Sequence, residues 1–304
     1  MNCLKKKISE YRKENMIQNQ EIESLKEEIA RLNSIINANV EAAELSSSPK
    51  IALIEPAIAL NPSEAAQTSM NYQELNEVPA NILTTKVKEV YERVGPYEFD
   101  ADQLVEVTWR GPRKLPDGSL YVGEWNDRGQ PEGRGMMYCA DGGICEGSWK
   151  TGKLHGKGRR INSVGDMYLG DWVEGKMNGS GRMEYSVDNH IYEGEWINGK
   201  QEGFGSDKWP DGSKFEGNYK DGARNGQGKF VWADGSHYEG GLVNSEIEGI
   251  GEYVWPNGNK YKGEWKSCKM HGKGKFAWPD GRHYEGDYAD DKKEGYGIFV
   301  WTNG

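Results

Sequence analysis

Asp211-Gly-Ser-Lys-Phe-Glu-Gly-Asn-Tyr-Lys-Asp-Gly-Ala-Arg-Asn-Gly-Gln-Gly-Lys-Phe-Val-Trp-Ala233 is the stretch that decides the fold. It recurs until the chain ends, with proline in the last slot at Pro210, Pro256 and Pro279. The first aromatic slot holds Tyr121, Cys145, Tyr168, Tyr192, Phe215, Tyr238, Tyr261 and Tyr284, spaced by 23 or 24 residues. Four residues on, a second slot holds Trp125, Trp149, Trp172, Trp196, Tyr219, Leu242, Trp265 and Tyr288. A Gly-x-Gly follows each time, from Gly133/Gly135 to Gly295/Gly297. Eight copies and the start of a ninth, Asn303-Gly304, fill the last two thirds of the sequence. A fixed period of this length signifies a repeat architecture.

Each period reads as a β-hairpin. Tyr192-Glu-Gly-Glu-Trp196 alternates apolar and charged residues, the pattern of a strand with one face buried. In the return strand Gly228, Phe230 and Trp232 point one way. Asp-Gly, as at Asp211-Gly212, Asp234-Gly235 and Asp280-Gly281, suits a tight turn, and Asn198–Gly203 is expected to supply the other. Glycine inside a strand weakens it unless something lies close against it. The neighbours expected here are aromatic rings. One repeat is too small to bury its rings alone, so stacking has to supply the core.

Tyr-x-Gly-x-Trp, Gly-Lys-x-x-Gly-x-Gly and Trp-Pro-Asp-Gly together resemble the MORN repeat (membrane occupation and recognition nexus). Tyr192–Gly205 and Tyr261-Lys-Gly-Glu-Trp265 match that pattern closely, and the resemblance extends over residues 117–304. It implies a mainly β fold, an elongated single-layer antiparallel sheet of tandem hairpins. It implies much less about function, because similar arrays serve in scaffolds, junctional proteins, flagellar components and enzyme appendages. In use the chain looks most like the ciliary, radial-spoke kind. That likeness implies residence in cytoplasm and cytoskeleton, in a cilium or flagellum axoneme, among proteins of such an assembly.

Residues 1–40 have a helical pattern. Leu4, Ile8, Tyr11, Asn15, Gln18, Ile22, Leu25, Ile29, Leu32 and Ile36 alternate by four and three. Ile at a with Leu at d favours a parallel two-stranded coiled coil, in which Asn15 fixes register. Ile22, Leu25, Ile29, Leu32 and Ile36 are the expected homodimerisation stripe, the other reading being one amphipathic helix docked on a different protein. Residues 41–80 read as a linker, with Ser46-Ser-Ser-Pro49 and Asn61-Pro62. Residues 81–116 read as a capping segment, with a short helix from Ile82 to Val94 and a strand from Val105 to Trp109. The array occupies 117–304.

The formal charge of −10 argues against a nucleic-acid binder, which carries a basic face. Four cysteines form no disulfide framework; Cys139 and Cys145 flank Asp141-Gly142 and are read as reduced core substitutes. The first residues lack the apolar run of a signal peptide. No stretch approaches the ~18 apolar residues of a membrane span, so a cytosolic or cytoskeletal home is expected. No catalytic residue, cofactor site or metal site is expected. The Gly-x-Gly pairs recur at every hairpin and lack the Lys-Ser/Thr of a phosphate loop. His155, His190, His237, His271 and His283 follow the repeat rather than ligand spacing. Glu193 and Glu195 share a face, but in several copies, which marks a solvated surface rather than an acid–base pair.

Two features are candidate binding surfaces. Trp196, Tyr219, Trp232, Trp255, Trp265 and Trp278 are more rings than a single-layer sheet is expected to bury, and a long apolar face marks an interaction surface. Lys150, Lys153, Lys157, Arg159 and Arg160, with no acid between Ser148 and Val164, are candidates for anionic lipid headgroups; a weaker run spans Lys260 to Lys275. The expectation is a non-enzymatic scaffold that tethers protein partners. The alternatives are a phosphoinositide-binding membrane tether and a regulatory arm of a separate catalytic subunit.

Overall fold

The structure is a computed structural model and describes residues 73–74, 81–99 and 110–302. The proposed coiled coil, the linker (apart from residues 73–74) and the strand expected at Val105–Trp109 lie outside these residues. The array consists of eight hairpins, each one repeat. These are β3 (Leu120–Trp125) with β4 (Pro131–Tyr138), β5 (Ile144–Lys150) with β6 (Lys153–Ile161), and β7 (Met167–Val173) with β8 (Lys176–Glu184). Next come β9 (Ile191–Ile197) with β10 (Lys200–Lys208), β11 (Lys214–Lys220) with β12 (Ala223–Val231), and β13 (His237–Val243) with β14 (Glu246–Val254). The last are β15 (Lys260–Lys266) with β16 (Lys269–Ala277), and β17 (His283–Ala289) with β18 (Lys292–Val300). Each strand pairs antiparallel with its neighbour in sequence. At the N-terminal edge β2 (Arg110–Lys114) pairs with β3, and β1 (Gln73–Glu74) with β2.

A row of glycines crosses the array, one per strand. Gly194 faces Gly205 within a hairpin, Gly205 faces Gly217 in the next, and Gly217 faces Gly228. The slot tyrosine lies flat on this seam. A Cβ on Gly194 or Gly205 would sit 2.5 or 2.4 Å from the Tyr192 hydroxyl oxygen, so no larger residue fits under the ring. The first glycine of each Gly-x-Gly has a different task. Gly203 has φ +63° where the register slips between Glu202 and Gly205, a bulge that needs the left-handed region.

The turns differ from expectation in detail. Asn198-Gly199, with φ 52° and 84°, is a two-residue loop whose backbone twist matches the strands, and Gly203 belongs to the bulge instead. Asp211-Gly212 lies in a longer loop in which the Trp209 amide donates to the Ser213 carbonyl and the Asp211 carboxylate accepts from the Ser213 amide.

Strand alternation gives the sheet two faces, one carrying the slot rings. The other carries helix α1 (Thr85–Val94) over the first three repeats. Thr84 caps α1: its hydroxyl oxygen accepts from the Val87 amide and its hydroxyl donates to the Ser163 carbonyl. Val87 is fully buried against Ile144, Ile161 and Met167, with Leu83, Val90, Tyr91 and Val94 around it. The helix therefore lies on the face of the sheet, and its open edge is extended by β1 and β2.

Candidate functional site: two rows of rings

On the ring face, aromatic side chains form two parallel rows of different burial. The first row consists of the slot residues. Tyr192 meets Trp196 edge-on at 5.2 Å and Tyr219 of the next repeat at 5.0 Å; Tyr168 and Tyr261 repeat the arrangement, and Tyr284 meets Tyr288 of its own repeat. Edge-to-face contact suits the ring quadrupoles. Most polar tips that such burial threatens are used, the buried Tyr288 hydroxyl being an exception. The Tyr192, Tyr238 and Tyr261 hydroxyls donate to the carbonyls of Glu195, Gly241 and Glu264. The Trp149, Trp172, Trp196 and Trp265 indoles each donate to a seam-glycine carbonyl of the preceding repeat. These indole bonds pin one repeat to the last.

Trp196, Tyr219 and Trp265 are consequently only 3, 5 and 4 % exposed. Their expected part in a partner surface is corrected accordingly: they are core, because glycine under each slot tyrosine lets the rings sink onto the backbone. Single-layer geometry does not keep them out of a core.

The second row is built by the ends of the return strands and the loops after them. It stacks Tyr185, His190, Trp209, Phe230, Trp232, Tyr253, Trp255, Phe276, Trp278, Phe299 and Trp301, with successive centroids 4.1 to 5.8 Å apart. Trp232, Trp255 and Trp278 belong to it and are half-buried. Cations sit over several rings: Arg224 over Trp209 and Phe230 at 5.2 and 5.6 Å, Lys293 over Trp278 at 5.0 Å, and Arg282 over Trp301 at 5.8 Å.

Asp207, two residues before Trp209, breaks the chemistry of the row, standing where Phe230 stands one repeat later. It is 2 % exposed. Its carboxylate accepts from Arg224 at 2.6 Å and from the Tyr219 hydroxyl at 2.5 Å. Burial, and then the Asp207 charge, push the Tyr219 hydroxyl far above its ordinary range. Sequence reasoning separated neither the two rows nor Trp209, Phe230 and Tyr253 as members of the second. The signal was present in the alternation of Gly228, Phe230 and Trp232 and in their fixed distance from the slot tyrosine.

The basic run does not form one patch. Arg159 and Lys157 lie on the helix face, whereas Arg160, opposite Cys145, lies on the ring face. Arg159 is buried and held by Glu146, which also accepts from the Tyr91 hydroxyl and the Tyr97 amide. Burial, then Glu146, pushes the Tyr91 hydroxyl up to about 12. Lys153 pairs with Glu174 at 3.2 Å, Lys157 with Asp171 at 2.6 Å and Arg160 with Asp141 at 3.5 Å. Arg159 is thus corrected from a lipid contact to a core ion pair, Lys153, Lys157 and Arg160 carry acids of their own, and Lys150 is exposed. Glu193, on the same face, takes Arg182 and Lys208. Ile22, Leu25, Ile29, Leu32 and Ile36 lie outside the described residues. Among the described residues no three His, Cys, Asp or Glu side chains are grouped to hold a metal ion, and no helix is long and apolar enough to cross a membrane.

The family model described as MORN repeat matches residues 121–144, 145–167, 168–189, 192–214, 215–237, 238–260, 261–281 and 284–304. A comparison with curated protein sequences finds no match. Among solved structures, the SAS-4 (dCPAP) TCP domain of Drosophila melanogaster, in complex with a proline-rich motif of Ana2 (dSTIL), is 14% identical. It covers 63% of this chain and 94% of its own, with a TM-score of 0.32. The TCP10 domain of Danio rerio CPAP is 11% identical over 67% of this chain and 91% of its own, with a TM-score of 0.37. Likeness at this level is too slight to bear on fold or function.

Proposed function

Because this chain belongs to the MORN-repeat family, we propose that it is a non-enzymatic scaffold whose second row of rings binds protein. The supporting observation is the continuous run of rings, half-buried from Tyr185 to Phe299 and exposed at Trp301, which no other described element covers. Binding energy at protein interfaces concentrates in Trp, Tyr and Arg anchors; this row supplies the first two, and Arg224 and Arg282 lie over its rings. The N-terminal heptads would join two such arrays through Ile22, Leu25, Ile29, Leu32 and Ile36. Assignment to a ciliary or other cytoskeletal assembly is supported by family resemblance alone.

The experiment is native purification of the tagged full chain, with co-purifying proteins quantified for wild type and for Trp232→Ser/Trp255→Ser. The proposal expects specific partners to fall at least tenfold in the double variant while the array stays folded by circular dichroism. The competing lipid tether is tested with phosphoinositide vesicles at near-physiological salt. Retained partners in the double variant, together with vesicle binding lost in Lys150→Glu/Lys153→Glu/Lys157→Glu, would replace the scaffold by a membrane tether.

A further inference from the structure

The repeat departs from its pattern twice in one hairpin connection. The first slot, tyrosine or phenylalanine in every other copy, is Cys145, and the second-row position that holds Trp232 or Trp255 elsewhere is Cys139. Cys145 lies on the ring face of β5 opposite Met137, and Cys139 opens the loop after β4, its amide donating to the Gly143 carbonyl. Their sulfurs are 3.5 Å apart, as free thiols. Cys145 is buried and Cys139 half-buried, so a small reagent reaches the outer thiol first. The Cys145 thiol, followed by the nearby Arg160 guanidinium, draws the Cys139 thiol below its ordinary range against the effect of burial. Its hydrogen bond with Cys139, and then burial, hold the Cys145 thiol well above that range. A reactive outer thiol beside a protonated inner one is the arrangement of an attacking and a resolving cysteine.

We propose that Cys139 and Cys145 form a reversible redox-modification site that takes a hydroperoxide as oxidant and closes to a disulfide. The Cys139 thiolate attacks a peroxide oxygen and the O–O bond breaks. One oxygen stays on sulfur as the sulfenic acid; the other leaves as hydroxide or alkoxide and is protonated. Cys145 then loses its proton and attacks the sulfenic sulfur, the S–S bond forms, and hydroxide leaves as water. Two thiols and one hydroperoxide give one disulfide, one alcohol or water, and one water; the two electrons pass from the sulfurs to the peroxide. Closing to the ~2.05 Å of a disulfide asks the sulfurs to approach by about 1.5 Å, within reach of side-chain rotation. The same loop receives α1, since the Thr84 amide donates to the Gly142 carbonyl at 3.1 Å, so oxidation staples the hairpin that seats the helix.

The test uses the full chain carrying Cys3→Ser and Cys268→Ser, treated with hydrogen peroxide, quenched with N-ethylmaleimide and weighed intact. The expected result is loss of both maleimide additions, a Cys139–Cys145 cross-linked peptide on digestion without reductant, and full return of both thiols with dithiothreitol. Cys139→Ser and Cys145→Ser must each abolish the cross-link; Cys145→Tyr, which restores the usual slot residue, must do the same in a chain shown folded by circular dichroism. Two maleimide additions after peroxide, or sulfinic acid at Cys139 with no cross-link, overturns the proposal.

Discussion

Glu146 and Arg159 occupy the repeat positions that Glu216 and Lys229 occupy three repeats later, yet the two pairs live in different worlds. The first is sealed beneath α1, with side-chain exposures of 1 and 6 %. In the later repeats the same positions are open to water, and Lys229 reaches Glu239 of the following strand at 3.6 Å with both side chains more than half exposed. The surrounding residues differ in step. Repeats one to three place Ile144, Ile161 and Met167 on the helix face, and Met137, Cys139, Arg160 and Asn162 in the second row. Repeats five to eight place charges on the helix face and Phe–Trp or Tyr–Trp pairs in the second row. The glycine seam and the slot rings hold the sheet throughout. The remaining positions decide which face receives α1 and which the other described residues leave uncovered.

Breaking the buried pair should show the largest effect. Glu146→Ala leaves the Arg159 charge uncompensated under α1, at a cost of about 3–5 kcal/mol. Hydrogen exchange should find the amides of α1 and of repeats one to three opened and those of repeats six to eight unchanged. Uniform opening along the array would mean that the two regions are one cooperative unit. Trp196→Ala, in the first row, should cost about 3–5 kcal/mol as a buried aromatic, and urea unfolding of the full chain measures it. A loss of no more than about 0.5 kcal/mol there, the scale of exposed substitutions, would return Trp196 to the surface set.

A third effect is read by pH. The Tyr91 hydroxyl is raised from 10.0 to about 12 by burial and then by Glu146. The neutral form is therefore the one the fold prefers. Its contribution is complete below pH 10, and is lost as pH rises through about 12. Alkaline titration followed by tyrosinate absorbance and by helix content should release α1 as pH passes about 12, and Tyr91→Phe should remove that step. An unchanged titration in Tyr91→Phe contradicts the Tyr91–Glu146 contact. The smallest effect belongs to the exposed pair: Lys229→Ala should change stability by at most ~1 kcal/mol.

Much of this was legible in the sequence because it depends on period. The hairpins, the slot rings and the need for glycine beneath them follow from Tyr192-Glu-Gly-Glu-Trp196 and Gly203-Phe-Gly205, and the helix near Val87 follows from its apolar spacing. The sorting of the rings was not legible. Trp196 and Trp232 are the same residue type on the same face, and their burial differs because an indole at the second slot reaches a glycine carbonyl one repeat back, whereas one after the return strand meets only its neighbours. The charge run misled for a related reason. Arg159 and Arg160 are adjacent in sequence and on opposite faces of a strand, and the acids that pair with Lys153, Lys157 and Arg160 come from other strands and turns.

The measurement that tests the central claim most directly is hydroxyl-radical footprinting of the tagged full chain, alone and in the native complex purified with it. The account predicts that Trp232, Trp255, Trp278 and Trp301 oxidise in the free chain and are protected in the complex, while Trp196 and Trp265 are unreactive in both. Equal oxidation of Trp232, Trp255, Trp278 and Trp301 in the two samples, with protection appearing instead on the charged face around Lys229 and Glu239, would contradict it.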